Sequence, residues 1–350
     1  MATIAENLVA LNEAKANIKT AIESKGQDLT GVPFTQYADK INEISAGGGD
    51  GDDTLKGLIE GTLTDLVIPQ GTTKITDSMF RYSVMNSVTI PSSIQTIGKY
   101  AFNNSKIPSV IISNGVQTID NYAFSYSKIT TMDIPDSVTT IGLQVFAYSG
   151  LSSIKLSNNL TTLASNSFLG CESLKTITIP NSVTTINDGA LQNSGLSGTI
   201  IIPNSVTYIG VNALSGTKIT NIILSNNLQY ITSNMLSYCK SLLNVEIPDS
   251  VTIIDTNAFQ QDTVLQEVQI GKSVTLINNN AFASCSKLTK IAFSSETMTI
   301  PELRNVNAFS STNVNLKIYV PDALYDDWIV ATNWTTYADK IYKLSEMPAE

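Results

Sequence analysis

Histidine is absent from the 350 residues. That removes Ser-His-Asp and Cys-His nucleophilic arrangements and every zinc site built on an imidazole. Cysteine is scarce: Cys171, Cys239 and Cys285 are odd in number and far apart, a poor basis for a disulfide framework. Charge is scarce as well, at 15% of residues, and the net charge is −9 with a pI near 4.6. Such a chain has no basic footprint for phosphate backbones, so nucleic acid is not an expected partner. No apolar run approaches the roughly 20 residues that span a bilayer, and membrane insertion is not expected. "MATIAENLVALNEAK" has neither the basic n-region nor the continuous h-region of a signal peptide, which points to a product made in the cytoplasm without export.

What the sequence has instead is a repeat. The last apolar residue before each "P-x-S-V"-type turn falls on Ile68, Ile90, Ile112, Ile134, Leu156, Ile179, Ile202, Leu224, Ile247 and Ile270, in steps of 22 or 23 residues. Counting from each marker, the fourth position is apolar in every unit but the first, where Thr72 stands, running from Ile94 and Val116 to Val274. The seventh runs from Ile75 to Ile277, and the twelfth reads Phe80, Phe102, Phe124, Phe146, Phe168, Leu191, Leu214, Leu236, Phe259 and Phe282. One unit cannot enclose its own apolar side chains, so neighbours must stack and bury each column against the next. At a strand spacing of roughly 4.8 Å, ten such units make a rod of about 50 Å. Pro135, Pro180 and Pro203 follow their markers, where a missing amide donor suits the end of a strand, and Asn181 or Asp249 favours the turn. The three cysteines fall in 23-residue units at the position that Ser127 holds elsewhere, and are expected as small inward-facing thiols.

Units such as "IPDSVTTIG…VF" and "IPNSVTYIG…AL", with "C-x-x-L" variants, resemble the leucine-rich repeats of the BspA-like (Treponema-type) class over roughly residues 66 to 320. The resemblance implies a repeat solenoid: a curved, β-rich rod with a sheet on its concave side, used for binding rather than chemistry. Residues 293 to 320 keep "NAF" but are irregular and read as a terminal repeat merging into a cap. The expected organisation is a helical attachment or oligomerisation module at 1–45, a Gly/Asp linker at 46–54, the solenoid at 55–320 and a cap at 321–350.

At the N-terminus, Ile4, Leu8, Leu11, Ile18 and Ile22 form an apolar stripe. Lys15 would break it as a coiled-coil heptad seam, whereas Ala14 completes it as an ordinary amphipathic helix. The stripe needs covering, by a second helix carrying Tyr37, Ala38, Ile41 and Ile44 or by the same helix of a neighbouring subunit. "IAENLVALNEAKANIKTAIESKGQDL…FTQYADKINEI", followed by a Gly-rich joint and "LKGLIEGTLTDLVIP", is similar to the start of many tail-associated bacteriophage proteins. That resemblance implies a virion appendage whose N-terminal helices contact other virion proteins as a homo-oligomer, with a trimer favoured by likeness to tail fibres.

"TQYADKI" at 35–41 returns as "TTYADKI" at 335–341, agreeing at six of seven positions. The second copy, with Trp334, Tyr337, Ala338, Ile341 and Leu344 at helical spacing and Thr335 as N-cap, is expected to form a C-terminal capping helix.

For chemistry the sequence offers little. Asp120, Asp133, Asp188 and Asp255 belong to different rungs and read as solvated surface groups rather than a glycosidase pair. The "GKS" at 271–273 has Gln266 where a P-loop needs its first glycine. No enzyme activity, cofactor or metal is expected. Two columns are candidates for binding. Two residues after the Phe/Leu column stand Tyr82, Asn104, Tyr126, Tyr148 and later Tyr238, which can contact a sugar or protein on a host cell surface or simply pack along the solenoid edge. The outward column of the concave strands runs Thr89, Ile111, Asp133, Lys155, Thr178, Ile201, Ile223, Glu246, Gln269 and Ala292, in which Ile111, Ile201 and Ile223 are candidate subunit contacts. A structural spacer without receptor and an exported BspA-like surface adhesin are the rival readings.

Overall fold

The computed structural model describes residues 65–68, 70–293 and 298–348. The stripe Ile4, Leu8, Leu11, Ala14, Ile18 and Ile22, the linker and the first "YADKI" copy lie outside these residues. The described chain is a β-solenoid of about twelve turns, two more than the ten units counted in sequence, because the chain beyond Ile270 keeps adding strands.

All but one of the turns place a strand of three to six residues in a parallel ladder that runs in two parts. Asp65–Val67, Ser87–Ile90, Ser109–Ile112, Thr131–Asp133 and Ser153–Lys155 form the first part, and Ser197–Ile201 through Lys317–Val320 and Ile341–Lys343 the second. No strand is assigned at residues 176–179, and that gap follows the first 23-residue step, from Leu156 to Ile179. A second ladder of two-residue strands, Lys74–Ile75, Thr96–Ile97, Thr118–Ile119 and their successors, pairs in register one turn apart.

The turn between these ladders explains the "P-x-S-V" signature. The N–H of Val138, Val183, Val206 and Val251 donates to the carbonyl of Pro135, Pro180, Pro203 and Pro248, closing a β-turn. Asp136, Asn204 and Asp249 accept through Oδ1 the N–H of Asn158, Asn226 and Lys272 on the next turn. Ser137, Ser182 and Ser250 donate back to the carbonyls of Val116, Leu160 and Leu228. The Asp/Asn and Ser positions of the turn therefore link neighbouring rungs, while the Pro and Val positions close the turn itself.

The sequence does not announce a third ladder, which runs along the far edge. The N–H groups ten, twelve and fourteen residues after each marker, except that of Asn280, donate to the next turn: Tyr100 to Asn121, Phe102 to Ala123, and Asn104 to Ser125, at 3.1, 2.7 and 3.0 Å. To aim these donors along the rod, the backbone turns left-handed at both flanking positions in every unit. The tenth column runs Ser78, Tyr100, Tyr122, Gln144, Asn166, Gly189, Asn212, Asn234, Asn257, Asn280, and the fourteenth Tyr82, Asn104, Tyr126, Tyr148, Gly170, Asn193, Gly216, Tyr238, Gln261, Ser284, all at positive φ.

Between the three ladders lies one continuous core. Every marker, fourth, seventh and twelfth residue named above, except Thr72, is buried. The Phe column is a stack: Phe102 and Phe124 lie 4.8 Å apart at 4°, and Phe259 and Phe282 5.0 Å apart at 2°. The cysteines face inward as expected, with the Cys171 thiol donating to the Phe146 carbonyl at 3.1 Å and pushed up to about 11 by burial.

The C-terminal end is capped, but not by the expected helix. Trp334–Lys340 is a 3-10 turn with Asn333 rather than Thr335 before it, and Ile341–Lys343 leaves as a strand paired with Lys317–Val320. Trp334, Tyr337 and Ile341 are buried, while Ala338 and Leu344 are only partly covered. The seal is aromatic: Phe293, Trp328, Phe309, Trp334 and Tyr337 pack with centroids 4.7 to 6.0 Å apart. Trp334 Nε1 donates to the Pro301 carbonyl, and the Tyr337 hydroxyl donates to that of Val306. A helix continuing to Leu344 would leave the edge of Lys317–Val320 unpaired, so the terminal strand wins.

Candidate functional site

The left-handed edge is where this chain departs from what its backbone prefers. At φ near 60° a bulky L-residue is a genuine outlier, whereas glycine and asparagine are at ease. Most units comply, using Asn166, Asn193, Asn212, Asn234, Asn257, Asn280, Gly170, Gly189 and Gly216. Ten positions do not: Ser78, Gln144, Gln261 and Ser284, and the six tyrosines Tyr82, Tyr100, Tyr122, Tyr126, Tyr148 and Tyr238, the bulkiest side chains of the set, at φ from 56° to 61°. Retained strain of this kind leads from an observed outlier to a hypothesis of function.

Five of the six share the first turns of the rod. Tyr126 and Tyr148 stack at 4.9 Å and 19°, and Tyr100 and Tyr122 at 4.8 Å and 13°. The Arg81 guanidinium lies 4.8 Å from the Tyr82 ring and 5.6 Å from that of Tyr100, with Nε donating to Asn103 Oδ1. Tyr148 also leans over Gly170, where any Cβ would meet the ring at 2.5 Å. Because the rings stack on one another, they present edges and hydroxyls outward rather than a row of open faces. None of the hydroxyls of these five tyrosines makes a hydrogen bond among the described residues. Of the four tyrosines expected as contacts, the structure brings Tyr82, Tyr126 and Tyr148 onto one edge, while Tyr238 stands four turns beyond Tyr148. The sequence reading missed Tyr100 and Tyr122; the signal was the Asn/Gly content of their column, which marks it as left-handed.

The strand-face candidates separate. Ile201 and Ile223 are register partners and both exposed, and Ile111 is exposed on an earlier turn beside Thr89. Ala292, expected to point outward in the same column, is instead buried beside Tyr319, its register partner in the terminal turns. Two exposed tyrosines of the short-strand ladder, Tyr208 and Tyr230, follow one another on the same turns as Ile201 and Ile223. Of the acidic residues expected as solvated surface groups, Asp133 is exposed on the strand face, whereas Asp188 accepts the Val211 N–H at 2.8 Å and Asp255 accepts from Ser233 and Asn278. Among the described residues no His/Cys/Asp/Glu group could hold a metal ion, and no helix is long and apolar enough to cross a membrane.

One buried carboxyl has no counterpart in the sequence reading. Asp262 occupies the inward position that Cys239 and Cys285 hold on the adjacent turns and is fully buried. Its Oδ1 accepts the Cys239 N–H at 2.7 Å, and Oδ2 has no partner. Burial holds this carboxyl well above the ordinary range and raises both neighbouring thiols, the negative Asp262 contributing second.

The profile of the BspA type leucine rich repeat region (6 copies) matches residues 73–197, 139–265 and 196–316. The chain belongs to this family. BspA-type repeat proteins are binding or structural proteins and not enzymes, and neither is this chain. Solved structures similar to it include a leucine-rich repeat protein from Bacteroides ovatus, at 22% identity and a TM-score of 0.47, covering 81% of this chain and 92% of that one. The pneumococcal vaccine antigen PcpA is 16% identical with a TM-score of 0.44, covering 80% and 87%. A leucine rich cell surface protein from Faecalibacterium prausnitzii is 22% identical with a TM-score of 0.36, covering 66% and 88%. No curated protein sequence matches the chain.

Proposed function

We propose that this BspA-type rod is a non-catalytic recognition protein that contacts the surface of a host cell through its tyrosine edge. The observation that carries the reading is tyrosine at five left-handed positions of the first turns, where the later turns of the same chain mostly use asparagine or glycine. A core role does not account for Tyr82, Tyr126 and Tyr148, which remain 39%, 52% and 47% exposed, while Tyr100 and Tyr122 are half-buried. Labelled full-length chain should bind intact bacterial cells, and the double variant Tyr126→Asn, Tyr148→Asn should lose most of that binding. Unchanged binding by a folded double variant would remove the edge from the site.

The rod's mounting is a separate part of the proposal. Residues 2 to about 65 resemble virion-associated phage modules, which favours a tail or fibre appendage assembled as a homo-oligomer through the N-terminal stripe. The repeats themselves favour a bacterial surface adhesin equally, because membership of the BspA-type family is shared by both readings. An antibody against the rod that decorates phage particles supports the first, and one that decorates only the producing cell's envelope supports the second.

A further inference from the structure

The tyrosine edge has a charge character opposite to that of the chain. Residues 99–107, 121–129 and 143–151, the edge segments of three consecutive turns, contain Lys99, Lys106 and Lys128 and no Asp or Glu, in a protein of net charge −9. Two of these lysines are built into the tyrosine pattern. Lys106 and Lys128 stand two residues after Asn104 and Tyr126, and in both segments the burial alternates exposed, buried, exposed, with Ser105 and Ser127 turned inward between them. Each lysine therefore projects from the same edge as the left-handed residue before it. Neither forms an ion pair among the described residues. Arg81, held over Tyr82 and Tyr100, adds a cation to the strip one turn further, in a turn that also carries Asp77, whose Oδ1 accepts the Lys99 N–H at 3.0 Å.

We infer that this strip binds an acidic polysaccharide running along the rod, a conclusion that rests on the recognition role proposed above. Three properties select the ligand. Lys106 and Lys128, on consecutive turns and with no ion pair among the described residues, ask for repeated anionic groups, and turns spaced roughly 4.8 Å apart ask for an extended polymer. Phenol hydroxyls that make no hydrogen bond among the described residues supply donors and acceptors for sugar hydroxyls. The strip also lacks the desolvated apolar pocket that an anchoring side chain of a protein partner fills, since Ala101, Ala123 and the phenylalanines beneath it are fully buried. In the pairs Tyr100–Tyr122 and Tyr126–Tyr148 one face of each ring is already covered by its partner, which reduces the surface that nucleobase stacking can use.

The test is a titration of the full chain with an oligogalacturonate, with dextran of similar length, poly-glutamate and a single-stranded DNA as comparisons. Oligogalacturonate should bind and weaken steeply with added salt. The pair Lys106→Ala, Lys128→Ala, and separately Tyr126→Asn, Tyr148→Asn, should each lower the affinity at least about tenfold (about 1.4 kcal/mol). The asparagine variants use the residue that other turns carry at the same positions, so loss of fold is not the expected cause, and an unchanged melting transition verifies this. Equal or tighter binding of poly-glutamate or DNA overturns the inference, as does dextran binding that ignores the lysine changes. If cells are bound in a tyrosine-dependent way but oligogalacturonate is not, this inference fails while the recognition role stands. If the tyrosine changes leave cell binding intact, the recognition role itself fails.

Discussion

From Ile68 to Leu156 the chain advances in steps of 22, stacks phenylalanines inside and sets five tyrosines on its left-handed edge; from Ile179 to Ile270 three of the four steps are 23. The later turns also carry Leu191, Leu214 and Leu236 inside, and their edge is mostly asparagine and glycine. Both regions keep the same three hydrogen-bonded ladders. The contrast separates what the frame demands from what it merely permits. An apolar residue is demanded at the twelfth position, and leucine serves as well as phenylalanine there. A residue that tolerates positive φ is demanded at the edge, and tyrosine is the expensive answer. Function is therefore to be sought in the expensive answers.

The interior half of this contrast is broken most forcefully at Phe124. Its ring is stacked between Phe102 at 4.8 Å and Phe146 at 5.5 Å and is wholly buried. Phe124→Ala should cost about 3 to 5 kcal/mol, against about 2 to 5 for Leu214→Ala, which has leucine neighbours and more room to relax. Urea unfolding of both variants measures the order. A loss under about 1 kcal/mol at Phe124 would mean that the stacked column is not the source of stability in the first turns.

Asp262 sharpens the comparison from the other region. It fills an inward column otherwise occupied by Ser, Thr and Cys, with one carboxyl oxygen unpartnered. Asp262→Ser should stabilise the chain by about 1 to 3 kcal/mol, the cost of a buried unsatisfied group. The pH dependence has a definite sign. The folded chain holds a proton that an unfolded carboxyl releases near its ordinary value of 3.8, so the folded state binds more protons above that pH. Stability contributed at low pH is then lost as pH rises toward the raised folded value. The gain from Asp262→Ser should consequently be larger at pH 8 than at pH 5, read as the difference between variant and parent in thermal melts. A gain that is the same at pH 5 and pH 8 would mean the carboxyl is already ionised in the fold at pH 5.

Much of this architecture was legible because a solenoid writes each structural requirement once per turn. The markers and the columns at four, seven and twelve residues locate nearly the whole core, and the cysteine positions follow from Ser127. The third ladder was not legible as a ladder, because its donors alternate with left-handed residues and show neither strand nor helix periodicity. Tyr100 and Tyr122 went unnoticed for that reason. The terminal "TTYADKI" misled through its helical spacing, since pairing Ile341–Lys343 with Lys317–Val320 satisfies an otherwise open sheet edge. Asp262 was hidden by composition: "QDTVL" replaces "YCKSL", so a polar residue sits in a column recognised by its cysteines.

The smallest expected effect is the one that decides what the tyrosines are for. Tyr126→Asn relieves part of a left-handed strain of order 1 to 3 kcal/mol, because asparagine tolerates that backbone. It also removes the stacking of Tyr126 on Tyr148, and such contacts contribute about 0.5 to 1.5 kcal/mol. The two terms oppose each other, so the net change should lie within about 1 kcal/mol of zero. A tyrosine kept for packing predicts something different, a clear loss above about 2 kcal/mol, because its removal would uncover Ala123 and Ser125 beneath the edge. Chemical denaturation of Tyr126→Asn beside Phe124→Ala, two residues apart on one turn, makes the measurement internal. A near-neutral edge next to a costly core would show that the first turns spend conformational strain on a surface their stability does not require.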